Sequence, residues 1–229
     1  MIRAAEPDVV ALDGVHADAS AGRALALRGP SGAGKSTLLG LLIGLEAPSA
    51  GEVTAAPTYA PGAVATPHRW SSLELAARVG WVPQRAELAL TSNESVRDVL
   101  CSTPRALGRL GNAGAAAQDA RIDRLLEVLG LARLARRNPH RLSGGEMRRL
   151  AVASALAHGP GVIAFDEPTV GQDRLTWAAV AGLLLASRDA GCAVLAGTHD
   201  DELAARCDAT LTLRAGRVDP AAGPQAAAP

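Results

Sequence analysis

Apolar residues along this chain fall into short runs rather than one continuous periodicity. Runs at 24–27, 79–82, 162–165, 193–196 and 210–213 are about one strand long and alternate with helical stretches. Helical spacing occupies the intervals: the stretch 36–43 after the first run is apolar, and another helix is predicted at 147–157. Between the second and third runs, Val96, Val99 and Leu100 share one helical face, and Ile122, Leu125, Leu126 and Leu129 share another. Strand and helix in alternation predict an α/β fold with a parallel sheet. The span 95–141 predicts a helical insertion with a loop at 111–117, and 220–229, poor in large apolar groups, predicts a frayed tail. No internal repeat is visible.

Composition narrows this picture. With 229 residues, 48% of them hydrophobic, the chain can bury a core as one domain, or as one domain carrying an inserted subdomain. Acidic and basic residues balance at 23 each, so nothing in the charge points to a nucleic-acid partner or an anionic membrane surface. Cys101, Cys192 and Cys207 are odd in number and far apart, which predicts plain thiols in a reducing cytosol rather than a disulfide framework or a zinc pair. No apolar run approaches the roughly 18 residues of a spanning helix, and residues 1–8 lack the apolar core of a signal peptide, so the chain is not expected to cross a membrane itself.

Of the 23 basic residues only one, Lys35, is lysine. It sits in Gly29-Pro30-Ser31-Gly32-Ala33-Gly34-Lys35-Ser36-Thr37, which fits G-x-x-x-x-G-K-[ST]. Glycines in such a loop let backbone N–H groups curl around phosphate oxygens, and a compact ammonium reaches the terminal phosphates where a planar guanidinium does not fit. A strand before the loop and a helix after it place the phosphates on a helix N-terminus. The loop alone leaves kinases, GTPases and ATPases open, and a glycine-rich turn without a ligand is the competing reading.

Leu142-Ser143-Gly144-Gly145-Glu146, just before the helix expected at 147–157, discriminates among these. A capped helix start explains Ser143 and Glu146 alone. It does not explain Val162-Ile163-Ala164-Phe165-Asp166-Glu167, an apolar strand ending in two carboxylates, nor Gln84 after Gly80-Trp81-Val82-Pro83, nor His199 after a further strand, nor Asp173 in Gly171-Gln172-Asp173. In their order along the chain and over nearly the whole of it, these motifs resemble the ATP-binding-cassette (ABC) ATPases. The resemblance implies a P-loop NTPase (RecA-like) parallel-sheet core, about 1–90 and 143–216, with an inserted helical subdomain at about 91–142 and a disordered tail at 217–229. It also implies roles. Gly29 to Thr37 would bind ATP, Ser36, Asp166 and Gln84 would hold Mg²⁺, Glu167 would polarise the attacking water, and His199 and Lys35 would stabilise the γ-phosphate. Ser143, Gly144 and Gly145 would act in trans on nucleotide held by a second cassette, with Asp173 communicating across the dimer. His16, His68, His140 and His158 match no motif and are expected on the surface.

Leu88-Ala89-Leu90-Thr91 after Gln84, Ser95 to Leu100, Arg148-Arg149 after the signature, and Thr169-Val170-Gly171-Gln172-Asp173 running into Thr176-Trp177 are similar to the ATPases of energy-coupling-factor importers. That likeness implies a cytoplasmic subunit at the inner face of the membrane, energising vitamin or metal-ion uptake with a second ATPase and a transmembrane coupling protein. Another ABC importer or exporter is the runner-up, and a soluble non-transport cassette or a small-molecule kinase stands further off. The surface between Trp81 and Arg97, with Leu88 and Leu90, is expected to receive the membrane partner's helix. The family stacks adenine on an aromatic upstream of the phosphate loop, yet no Phe, Tyr or Trp precedes Tyr59. Either the start lies upstream of Met1, or aliphatic residues such as Val9 and Val10 hold the base.

Overall fold

A computed structural model describes residues 10–60, 62, 64–85, 94–110, 115–170, 172–220 and 225–226. The strands β1 (Ala24–Arg28), β2 (Val79–Val82), β3 (Val162–Asp166), β4 (Ala193–Gly197) and β5 (Ala209–Arg214) form a parallel sheet in the order β2-β3-β4-β1-β5. The five apolar runs are these five strands, to within one residue at either end. The helices are α1 (Lys35–Leu42), α2 (Ser72–Arg78), α3 (Val96–Ala106), α4 (Ala115–Val128), α5 (Gly144–Ala157), α6 (Arg174–Asp189) and α7 (Asp201–Ala205). Short strands β6 (Arg217–Val218) and β7 (Gln225–Ala226) pair antiparallel with β5, so the segment expected to fray contributes backbone hydrogen bonds at the sheet's edge. Leu88, Leu90, Val9 and Gly171 lie outside the described residues, as does most of the loop expected at 111–117.

The sheet is covered on both faces, which is why its strands read as unbroken apolar runs. Along β3, Ile163 and Phe165 join the core formed with α3 to α6, while Ala164 joins the other core with Leu38, Leu39 and Ile43 around α1. In β4, Val194 and Ala196 face the first core and Leu195 the second. Phe165, the chain's sole phenylalanine, is fully buried between layers. The helical faces read from spacing are buried as expected: Val96, Val99 and Leu100 on α3, and Ile122, Leu125, Leu126 and Leu129 along and just after α4, all pack into the core shared with α5.

Helix α5 begins three residues earlier than spacing suggests. The Ser143 side chain accepts from the Glu146 N–H at 3.3 Å, and the Glu146 carboxylate accepts from the Ser143 N–H at 2.7 Å. This reciprocal cap draws Gly144 and Gly145 into the first turn.

His158 departs from the surface placement expected of it: His16 and His140 are exposed and His68 half-buried, but His158 is only 4% exposed. It caps the C-terminus of α5, where carbonyls lack helical partners. Gln118 donates to the Ala157 carbonyl at 2.6 Å and Arg109 to the His158 carbonyl, so two side chains from the insertion close that helix end over the ring. Burial, aided by the positive charges of Arg109 and Arg121, pushes the imidazole down to about 4. Because the folded value lies below the unfolded one, the unfolded chain takes up a proton first as pH falls from about 6.5 towards 4, and stability drops across that window. Urea unfolding at pH 7 and pH 5 should show wild type losing about 2 kcal/mol more than His158→Gln. Equal losses in the two proteins would contradict a buried neutral histidine.

Candidate active site

Because β3, β4 and β1 are neighbours and parallel, the segments that follow them open at one edge of the sheet, where ligands of such sheets bind. The phosphate loop follows β1, Asp166 and Glu167 end β3, and His199 follows β4. Register aligns them: Asp166 lies level with Gly197, and Gly197 with Leu27. A side chain at Gly197 would lie 3.0 Å from Leu39 and 3.2 Å from the Asp166 carboxylate, so glycine lets the phosphate-loop helix and β3 close on β4. Gly29 turns the chain out of β1 with φ 140°, and a Cβ there would lie 2.2 Å from the Leu213 carbonyl.

These segments line a cleft of about 760 Å³, walled by Gly29 to Thr37, Gln84, Asp166, Glu167, Val170 and His199, with Val10, Ala11, Ala215 and Gly216 also on its wall. Helix α1 opens onto it with no side-chain cap and no acidic residue in its first turn, which leaves backbone N–H groups for an anion. Lys35 is buried and donates to the carbonyls of Gly29 at 2.8 Å and Pro30 at 3.2 Å, so its ammonium is folded against the loop it serves. Its Nζ lies 3.8 Å from Glu167 Oε1, and His199 Nδ1 lies 2.9 Å from Glu167 Oε2. Ser36 donates to Asp166 Oδ2 at 2.6 Å. Burial pushes the Asp166 carboxyl up from its ordinary value while the Ser36 hydrogen bond pulls it down. Glu167 is buried and adopts a left-handed backbone, φ 53°, a conformation that costs a residue with a Cβ about 1–2 kcal/mol.

A model of the ABC transporter family matches residues 12–170. The chain belongs to the ABC transporter family. The nickel import ATP-binding protein NikO of Rhodobacter capsulatus is 40% identical over 222 residues, covering 95% of this chain and 85% of that protein. The lipoprotein-releasing system ATP-binding protein LolD of Gluconobacter oxydans is also 40% identical, over 95% of this chain and 91% of its own. Among solved structures, the dimeric post-hydrolysis state of the ATP-binding cassette MJ0796 bound to ADP and Pi superposes with a TM-score of 0.80 at 26% identity, covering 96% of this chain and 91% of that one.

In this ABC ATPase the fold brings together Gly29 to Thr37, Gln84, Asp166, Glu167 and His199, and leaves Ser143, Gly144, Gly145 and Asp173 off the cleft wall. Ser143 is exposed and caps α5. Asp173 caps α6, accepting from the N–H groups of Leu175 and Thr176 at 3.0 Å each and from the Thr176 hydroxyl at 2.7 Å. Those bonds, first the Thr176 N–H, hold its carboxyl below the usual range. Ala11, Ala215 and Gly216, which belong to no motif read from the sequence, also line the cleft, as does Val170 of the run 169–173. For Ala215 and Gly216 a hairpin pattern was present, since Arg214 pairs with Arg217 across a two-residue turn with φ 48° at Ala215 and 76° at Gly216.

Among the described residues, no group of three or more His, Cys, Asp or Glu is arranged to cage a metal. The oxygen donors Ser36 and Asp166 instead suit Mg²⁺, which prefers one or two protein oxygens and completes its shell with phosphates and water. No Phe, Tyr or Trp stands among the described residues of the cleft wall; Val10, 69% exposed, and Ala11 are the aliphatic groups at hand for a base. The Val10 and Ala11 side chains offer apolar contact but no hydrogen bond to read a base edge, so GTP should compete with ATP within about tenfold in equilibrium binding. A hundredfold preference for ATP would show that a base contact lies elsewhere.

Proposed function

We propose that this cassette energises a metal-ion or vitamin importer of the energy-coupling-factor type, from the cytoplasmic face of the membrane and as one of two cassettes on a transmembrane coupling protein. The chemistry rests on one observation: Lys35, Ser36, Asp166, Glu167 and His199 converge on the cleft from three adjacent parallel strands. Phosphate oxygens take the α1 N–H groups, and Lys35 exchanges the Gly29 and Pro30 carbonyls for the β- and γ-phosphates. Ser36, Asp166 and Gln84 are the groups that would hold Mg²⁺, which when bound neutralises charge on the phosphates. Glu167 orients and deprotonates the attacking water. His199, whose Nδ1 lies 2.9 Å from Glu167, donates a ring N–H to the γ-phosphate as charge develops there.

A second cassette completes the site. Ser143 and Gly145 are accessible and away from the cleft, so their N–H and O–H groups serve a nucleotide held by the opposite subunit, with Asp173 beside them at the contact. Each charge-assisted bond to an intact γ-phosphate contributes roughly 1.5–3 kcal/mol, and hydrolysis removes part of that adhesion. Closing and reopening of the pair is the mechanical output.

Uptake of transition-metal ions is favoured by the likeness to NikO and to the cobalt import ATP-binding protein CbiO of Rhodobacter capsulatus, 40% identical over 92% of this chain. LolD, equally similar, supports lipoprotein release as the second reading. Affinity purification of the tagged chain from its own membranes, with nickel and cobalt accumulation measured in cells lacking it, separates them. A co-purifying membrane assembly and lost metal uptake support the importer. Unchanged metal and vitamin uptake with retained lipoproteins would establish the second reading.

A further inference from the structure

Two arginines follow the signature, and the first has no part in the roles assigned above. Arg148 stands on the second turn of α5, half-buried, and its guanidinium bridges two site segments remote in sequence. Nη1 donates to the Glu167 carbonyl, and Nη2 donates to the Gln84 carbonyl at 2.5 Å. Gln84 lies two residues beyond β2 and Glu167 one beyond β3, and both line the cleft.

Glu167 holds a left-handed backbone that must be held from outside itself. Its N–H donates to the Gly197 carbonyl at 2.8 Å, which anchors one side of the residue to β4. Arg148 anchors the other side to α5. With both backbone groups committed, the carboxylate is delivered to Lys35 and His199 rather than swinging freely. The same planar fork fixes the distance from Glu167 to Gln84, because its two donors are held in one rigid group. Its neighbour Arg149 donates to Thr176 at 2.9 Å, and Thr176 in turn bonds Asp173, so the helix that begins at the signature is tied to the start of α6 as well.

We propose that Arg148 is a positioning residue for hydrolysis: its two-pronged hold on the Glu167 and Gln84 carbonyls sets the attacking-water carboxylate against the metal-side glutamine and carries movement of the signature helix to both. This rests on the roles given to Glu167 and Gln84 above. Lysine's three donors radiate from one point on a flexible stem, so it can meet carbonyls but does not hold two of them at the fixed spacing of a planar fork. Arg148 therefore acts on the chemical step rather than on phosphate binding, which is made by the loop after β1.

The test uses the purified full chain with Mg²⁺-ATP and compares wild type with Arg148→Lys, Arg148→Gln and Arg148→Ala, with Glu167→Gln alongside. All three Arg148 variants should lose about tenfold or more in kcat, with ATP affinity within about threefold of wild type and thermal midpoints within a few degrees. Millimolar methylguanidinium should restore several-fold turnover to Arg148→Ala and none to Glu167→Gln. Wild-type kcat in Arg148→Lys or Arg148→Gln, or losses of kcat, affinity and thermal stability in step with no methylguanidinium rescue, would overturn the inference while Glu167→Gln remains slow. If Glu167→Gln itself turned over at the wild-type rate, the role of Glu167 would fall first and the inference with it.

Discussion

Glu167→Gln should bind ATP as wild type does, hydrolyse it about 10²–10⁴-fold more slowly, and accumulate as a nucleotide-bound dimer. The amide preserves the size of a buried side chain and can still meet His199, so the left-handed backbone and its anchors at Gly197 and Arg148 stay in place. What is lost is an oxygen able to take a proton from water. Ser36 and Asp166 remain 2.6 Å apart and keep their hold on the metal side, so binding persists while turnover stops. With the γ-phosphate retained, the proposed signature contacts between two cassettes should be retained too. Size-exclusion chromatography with Mg²⁺-ATP should then show a dimer, alone or with a related cassette; monomer under every such condition would contradict a site completed by a second subunit.

Lys35→Arg should be nearly as damaging, despite keeping the charge. Lys35 is 8% exposed and fits an ammonium between the Gly29 and Pro30 carbonyls, with Glu167 Oε1 at 3.8 Å. A guanidinium brings a broad, rigid plane with five donors into a pocket shaped for a point charge. Displacing the loop to admit it would misplace the N–H groups that receive the phosphates. Losing one such preorganised contact slows enzymes by about 10²–10³, and a loss of that size is expected in kcat/KM. Turnover at the wild-type level would refute the argument from the chain's single lysine.

Much of the site was legible because its parts are short, contiguous segments. The phosphate-loop motif fills eight successive positions, 29–36, and the carboxylates at 166 and 167 follow an apolar strand whose residues alternate between two cores, as a strand covered on both faces requires. Contacts between distant segments were not legible. Nothing in local spacing indicates that Arg148 would bridge carbonyls 64 and 19 positions away, since a surface arginine on an amphipathic helix has the same local pattern. His158 was misplaced for a related reason: a polar residue before glycine reads as an exposed helix end until Arg109 and Gln118 arrive from the insertion to cover it. Strand order was equally silent. Periodicity specifies that a strand exists, while the central place of β1 between β4 and β5 depends on how the helices cross the sheet.

Nucleotide held by one cassette should be hydrolysed with the signature of another. In the simplest assembly, two copies of this chain, this is tested by mixing Lys35→Arg with Ser143→Arg. Ser143→Arg also removes the cap of α5, at a cost of about 1 kcal/mol, which folding can absorb. Each variant alone should be nearly inactive, because every site then lacks either its phosphate loop or its signature. In mixed dimers one site keeps both, so an equimolar mixture should recover up to about a quarter of wild-type turnover per chain. A mixture no more active than the sum of its two components, or a Ser143→Arg protein that hydrolyses ATP at the wild-type rate, would contradict assembly of the site from two copies.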